Sequence, residues 1–419
     1  MLELVATLSI LILGFLTYLV FFERGPNYSV SNQIELRHQQ ELLALWGSVL
    51  SVPRCAIAHP LLIQSGPDFY AHHLSLIEDA RHSVHLETYL VEPGEACQKV
   101  LDALTDKAKQ GVQVRIILDR VGSFSMRKKH LAGLRKAGAQ VVFYHPLSVH
   151  TFRKLNNRTH RNLLVVDGAR AMIGGAGLAD LWAANEKKQV WRDAAVILEG
   201  TGVARLQAVF GENWLEATGE ILADARSYPA ISAQGEMSAL VVGSSPVAGG
   251  SSSARILFQL ALASAQRSID LCTPYFIPDR GIRAALIAAS VRGVQVRVMT
   301  NGPYSDQGLA RRAGRRRYGP LLGSGVELYE YKHDMMHRKA LVIDGRFSVV
   351  GSSNVDNRSY SLNDEVNLVI DDGRFAGSVM EIFEQDLGNC ERITVRDWER
   401  RSVSEKVLAH LGRGLERHD

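Results

Sequence analysis

A chain that repeats its own spacing over a long distance must fold as two like units or as one unit assembled from two like halves. This 419-residue sequence does so. The pentapeptide GVQVR stands at residues 111–115 and again at 293–297. Each copy follows a run with helical apolar periodicity (100–108 and 283–289) and continues into β-branched strand sequence, VQVRIILD or VQVRVMT. Farther along, His160, Asp167 and Gly174 are matched by His337, Asp344 and Gly351, each separated from its counterpart by 177 residues. WRDAAVILEG (191–200) then matches NDEVNLVIDD (363–372), which sets Asp193 opposite Glu365, and both lead into helical pattern through Phe210 and Phe383. The alternation predicts an α/β fold of βα units on a largely parallel sheet, with two pseudo-symmetric halves sharing one cleft.

The cleft should hold the repeated histidines. In HRKALVIDGRFSVVGSSNVDNRS (337–359), strand alternation puts His337, Lys339 and Leu341 on one face, and Ser352 and Asn354 follow after Gly351. Asp167 and Asp344 each precede a glycine, so they read first as closers of a tight Asp-Gly turn, with support of the site as a second role.

This pattern resembles the phospholipase D superfamily, whose motif is His-x-Lys-x4-Asp followed by x6-Gly-(Gly/Ser)-x-Asn. The resemblance covers residues 61–387, and within the superfamily TPYFIPD (273–279), HRKALVIDG and GSSNVDNRS are similar to bacterial cardiolipin synthases. It implies a phosphatidyltransferase that joins two phosphatidylglycerols into cardiolipin and glycerol. Phosphodiester oxygens repel nucleophiles, so such a site must neutralise charge while supplying a nucleophile and a proton. The resemblance implies His160 as the nucleophile that becomes phosphohistidine and His337 as general acid and base. It implies Asp193 and Glu365 as carboxylates that orient the two rings, and Lys339, Asn354 and Ser352 as holders of phosphate oxygens. No metal or other cofactor is called for. A hydrolase with the same histidines, in which water is the acceptor, fits the motifs equally well.

The first half departs from the motif: Asn162 stands where the lysine belongs and Gly177 where the asparagine belongs. Loss of one preorganised donor costs about 10²–10³ in rate. The segment TFRKLNNRT (151–159) offers replacements, and Arg158 or Lys154 is expected to reach the phosphate while Asn162 takes the place of the missing asparagine. The other outcome is a drifted first half, in the extreme a lipid-binding protein without turnover.

Residues 5–22 are eighteen in a row without an ionisable amine or carboxylate. As a helix they span about 27 Å, which predicts a transmembrane anchor. No cation precedes them and no small-residue cleavage site follows, unlike a signal peptide. Arg24 and Arg37 are the nearest cations and place the large domain on the cytoplasmic side of a bacterial inner membrane. Residues 35–50 carry Leu36, Leu42, Leu43, Leu45 and Trp46 in helical rhythm, suited to lie on the membrane or to pack on the domain. The expected division is anchor 1–24, linker and helix 25–58, first half 59–225, second half 226–397 and an amphipathic tail 398–419.

With 48 Lys+Arg against 44 Asp+Glu, the charge of +4 is too small for a dedicated nucleic-acid binder, and the expected partners are an anionic phospholipid and a membrane. The basic run LARRAGRRRYG (309–319) reads as a solvated helix face that also suits anionic headgroups. Four scattered cysteines without a C-x-x-C pair argue against a zinc ribbon and for free thiols in a reducing compartment.

Overall fold

The structure is a computed structural model that describes residues 28–30, 41–64, 66–146, 156–183, 191–230, 235–246 and 252–401. Its first half carries β1 (Cys55–Ile63), β2 (Ser83–Thr88), β3 (Gln113–Asp119), β4 (Gln140–Tyr144), β5 (Arg158–Thr159), β6 (Leu163–Val166), β7 (Arg170–Gly174) and β8 (Ala195–Glu199). The second carries β9 (Met237–Ser244), β10 (Ser268–Cys272), β11 (Gln295–Asn301), β12 (Glu327–Tyr331), β13 (Ala340–Ile343), β14 (Phe347–Gly351), β15 (Asn363–Asp371) and β16 (Cys390–Ile393). Outward from the centre, the first half is ordered β1-β8-β7-β6-β2-β3-β4 and the second β9-β15-β14-β13-β10-β11-β12-β16. Strand for strand the second order repeats the first, with β16 added at its edge.

β2, β3 and β4 are parallel, as are β10, β11 and β12, and β5 joins the start of β15 in parallel. The other pairings between these strands are antiparallel, so the sheet is mixed and not largely parallel as the sequence predicts. The turns explain the difference. Asp167 and Gly168 (φ 53° and 59°), like Asp344 and Gly345 (φ 55° and 65°), adopt the left-handed backbone at the head of a three-residue hairpin loop, so β6 returns at once as β7 and β13 as β14.

One strand belongs to both halves. The beginning of β1 (Cys55, Ala56, Ile57) pairs with β9, and its end (Leu61, Leu62, Ile63) pairs with β8 across a register shift. Between the halves, the helices Thr201–Thr218 and Gly373–Leu387 bury Phe210, Trp214, Phe375 and Phe383 against Val165, Val196, Val342 and Leu368. This central layer joins the two sheets into one body.

The helix Leu42–Leu50 packs on the domain. Leu42, Leu43, Trp46 and Leu50 are buried with Leu240, Leu257 and Phe347, which settles the role of this part of the 35–50 run in favour of packing. The apolar run 5–22 lies outside the described residues, as does the tail beyond 401; among the described residues no helix is long and apolar enough to cross a membrane. The basic run is only partly solvated: Arg311 and Arg315 turn to the buried Glu330 at 2.6 and 3.4 Å, Arg317 is buried, and Arg312 is exposed. All four cysteines are free thiols.

Trp46 donates from Nε1 to Ser264 Oγ at 3.1 Å and packs 5.3 Å from the Phe347 ring. Trp46→Ala removes a fully buried indole and should cost about 3–5 kcal/mol of stability, read from the shift of a denaturant melt.

Candidate active site

Each histidine is fixed by backbone from the other half. His160 follows β5, whose two residues pair with Asn363 and Asp364 at the start of β15, and its own N–H donates to the Asp364 carbonyl at 2.9 Å. His337 donates from its N–H to the Arg192 carbonyl at 2.6 Å, while the Arg192 N–H donates to Met335 at 2.9 Å. The residue next along each supporting segment is a carboxylate, and it takes the ring. His160 Nδ1 lies 3.2 Å from Glu365 Oε2 and 3.1 Å from the Ser352 carbonyl; His337 Nδ1 lies 2.7 Å from Asp193 Oδ2. These partners only accept, so both rings carry the proton on Nδ1; His160 keeps Nε2 for chemistry, while Nε2 of His337 faces Lys339.

Asp193 and Glu365 are themselves held. Trp182 Nε1 donates to Asp193 Oδ2 at 3.2 Å and the Ala194 N–H to Oδ1 at 2.8 Å; the Ser352 hydroxyl donates to Glu365 Oε2. The buried Ser352 hydroxyl, expected from sequence at the phosphate, is engaged by this carboxylate and by the Val366 N–H at 3.0 Å, so it supports Glu365. Its counterpart in the first half is Gly175, where a Cβ would lie 2.4 Å from Asp193 Oδ1.

Lys339 Nζ stands 3.0 and 3.1 Å from the two nitrogens of His337. Burial, with the Lys339 charge beside it, pushes the His337 imidazole down to about 4 against the upward pull of Asp193. Burial also pushes the Lys339 ammonium down to about 8, against the pull of Asp193 and Glu365. Asn354 is buried and its Oδ1 has no partner among the described residues.

The remaining residues read from sequence stand elsewhere. Asn162 accepts from Thr88 Oγ1 at 2.8 Å and the Tyr89 N–H at 3.3 Å, and donates to the Gly175 carbonyl at 3.1 Å. Its amide ties β2 to the end of β7 and is spent there. A Cβ at Gly177 would lie 2.4 Å from the Leu90 carbonyl, so no asparagine fits that position. Arg158 is buried, donating to the carbonyls of His145 and Asn157 at 3.0 and 2.7 Å and lying 3.5 Å from Asp119. The phosphate contact expected of it is not met by that position; Lys154 lies outside the described residues. Asp167 and Asp344 occupy the turns at the far ends of β6 and β13 from the histidines. The Asp167 carboxylate accepts from the N–H groups of Arg81, His82 and Ser83, and Asp344 from those of Gln266, Arg267 and Ser268. They anchor the entry to β2 and β10 and touch no reacting group.

Sequence reasoning passed over the rings around the histidines. Tyr89 stands edge-on to His160 with centroids 5.3 Å apart, and Trp182, Trp191 and Tyr275 surround His337 at 5.5, 5.1 and 6.4 Å. The signal was available in ETYLVEP (87–93), which echoes CTPYFIPD (272–279). Arg161, adjacent to the segment offered for phosphate contact, and Arg338, which was passed over, are the residues after the histidines. Both are buried and reach the central helices, Arg161 to Glu212 at 2.8 Å and Arg338 to Asp386 at 2.7 Å. Asp386 is shared with Arg192 at 2.8 Å, which steadies the segment that carries Asp193.

A family described as cardiolipin synthase, PLD-like domain matches this chain twice, at residues 74–214 and 259–387, once over each histidine. The chain belongs to that family. Cardiolipin synthase 1 of Bacillus cereus is 31% identical over 83% of this chain and 70% of its own length. A cardiolipin synthase of Alkalihalophilus pseudofirmus is 31% identical over 90% of this chain and 76% of its own. Among solved structures, the phosphatidylserine synthase of Haemophilus influenzae superposes with a TM-score of 0.67 at 14% identity, covering 89% of this chain and 97% of that one. The polyphosphate kinase of Porphyromonas gingivalis superposes with a TM-score of 0.54 at 10% identity, covering 85% and 53%. At those identities the two structures speak for the fold.

Two outcomes follow from this geometry. Gly175→Ala should push the Asp193 carboxylate off His337 and lower kcat by about 10²-fold, the scale of a misplacement near 1 Å, with the melting curve changed far less. The charge on Lys339 is lost as pH rises through about 8, so kcat/KM should fall above that pH. Lys339→Arg keeps its charge to far higher pH and should remove that alkaline limb while lowering the plateau.

Proposed function

We propose that the protein is a phosphatidyltransferase that condenses two phosphatidylglycerol molecules into cardiolipin and glycerol. The observation that carries this reading is the crossed pair of histidines, each held through Nδ1 by a buried carboxylate of the opposite half, with Lys339 beside them. We read the halves as a pseudo-symmetric pair sharing one site, on their common strand order and equal motif spacing. The protein works at a membrane, in keeping with the apolar run at 5–22 and a lipid substrate.

In the first step Nε2 of His160 attacks phosphorus, the P–O bond to the glycerol headgroup breaks, and His337 gives its proton to the departing oxygen. In the second, the headgroup hydroxyl of another phosphatidylglycerol gives its proton to His337 and attacks phosphorus. The P–N bond breaks and His160 is restored. Lys339 and Asn354 hold the phosphate oxygens. His337 is neutral in the free protein, so its proton arrives with the substrate: the anionic phosphodiester between the rings favours the imidazolium form. Asp193 and Glu365 stabilise each ring as it becomes charged. The indoles of Trp182 and Trp191 and the phenols of Tyr89 and Tyr275 wall the histidines with apolar surface, an environment that favours a lipid alcohol over water as acceptor.

The test is to incubate detergent-solubilised protein with labelled phosphatidylglycerol and a chelator and to resolve the products beside a His337→Ala control. Cardiolipin and glycerol that depend on His337 are expected, together with an acid-labile phosphatidyl group on the His160 peptide. Phosphatidic acid in their place would make the protein a hydrolase. No product and no trapped phosphatidyl group would leave lipid binding without turnover, the outcome to which Asn162 and Gly177 point.

A further inference from the structure

The edge of the molecule on which the histidines lie carries a rim that the chemistry above does not use. Residues 120–127 follow β3 and residues 302–307 follow β11, the same position in each half, and Leu309 stands on the opening turn of the helix Gly308–Arg316 that follows the second. The first loop is tied down by Asp119, whose Oδ1 accepts from the N–H groups of Val121 and Gly122 at 2.8 and 3.0 Å. Gly122 rests against the carbonyl of Tyr89, the neighbour of His160: a Cβ there would come within 2.2 Å. The second loop is held by Asp306, which accepts from the hydroxyl of Tyr275, the neighbour of His337, at 2.8 and 3.0 Å. Each loop thus hangs on a tyrosine that touches or faces one histidine.

Tied down in this way, the loops turn large apolar side chains into solvent. Phe124 is 71% exposed and Leu309 78%, with Val121 and Tyr304 exposed beside them. The Arg120 guanidinium lies 5.9 Å over the Phe124 ring, and among the described residues neither Phe124 nor Leu309 joins a core cluster. Arg127, Lys128 and Lys129 stand exposed just after the first loop and Arg312 just after the second. Glu92 and Asp306 share this edge, Asp306 being engaged by Tyr275. Apolar tips backed by cations are the composition that enters an anionic bilayer surface.

An independent observation gives the same direction. Tyr28, the first described residue, packs its ring 3.9 Å from the guanidinium of Arg255, which pairs with Asp279 at 2.7 Å; its carbonyl lies against Gly281. Asp279 and Gly281 follow the C-terminal end of β10, on the edge where His337 lies. The chain therefore enters the domain on the histidine edge, shortly after the apolar run at 5–22.

We propose that Phe124 and Leu309, backed by Lys128, Lys129 and Arg312, form a rim that inserts into the surface of an anionic phospholipid bilayer and seats both histidines at headgroup depth. The proposal rests on the lipid substrate argued above, to which it adds how that substrate is reached without leaving the membrane.

The test places an environment-sensitive fluorophore on full-length protein through Phe124→Cys, Leu309→Cys or, as control, Val291→Cys, with unsubstituted protein as the labelling blank. Val291 is 75% exposed at the end of the helix that leads into the start of β11, on the opposite edge. In vesicles of phosphatidylglycerol and phosphatidylcholine with brominated acyl chains, labels at 124 and 309 should shift to the blue and be quenched at least about twofold, and the label at 291 should not change. Lys128→Glu with Lys129→Glu should reduce the quenching at 124. Unquenched labels at 124 and 309, or equal quenching at 291, would overturn the proposal. Because insertion and not turnover is read, a protein that makes cardiolipin with a dry rim and one that inserts without making cardiolipin are told apart.

Discussion

The site depends on one kind of contact made twice: an imidazole from one half hydrogen-bonded to a carboxylate from the other. His160 leans on Glu365 and His337 on Asp193, and in each case the backbone next to the carboxylate holds the backbone next to the histidine. Neither half contains a supported histidine of its own. The central helices, the Arg161 and Arg338 anchors and the shared strand β1 all serve to keep the halves in the one relation in which the crossing closes. A carboxylate brought to a buried ring also repays part of what desolvation costs the charged imidazole, so the crossing both positions the rings and permits their charging.

Much of this was legible in the sequence. The 177-residue offset located both histidines, and the downstream echo located Asp193 and Glu365, because β6 and β13, like β7 and β14, are equal in length and joined by the same turn. What the sequence could not carry was which carboxylate serves which ring, since pairing across the cleft is a property of how two surfaces dock. The mixed character of the sheet was readable from the Asp-Gly turns but was overridden by the βα rhythm around them.

The misplaced residues have a common cause. Arg158 and Asn162 flank His160 and Ser352 follows the motif glycine Gly351, which invited a role toward substrate. All three are buried, and a buried polar group must find partners in the protein. Arg158 found carbonyls, Asn162 found the ends of two strands, and Ser352 found Glu365. The first half keeps its architecture through Asn162, where the second half spends the same position on a cation, so the two histidines sit in unequal fields although they share a scaffold.

The shared strand β1 has a bearing on how the molecule comes into being. Residues 55–57 pair with residues 237–239, so the opening strand waits for a partner that is translated after the whole first half. Contacts so distant along the chain close late, because the intervening segment must first give up its freedom. The first half can therefore bury its own core early, with one edge of β1 unsatisfied, and only the arrival of β9 and β15 covers that edge and brings Glu365 to His160. The pairing of β1 with β9 and the contact of Glu365 with His160 both draw on the second half, so a first half standing alone has neither a covered edge nor a supported histidine.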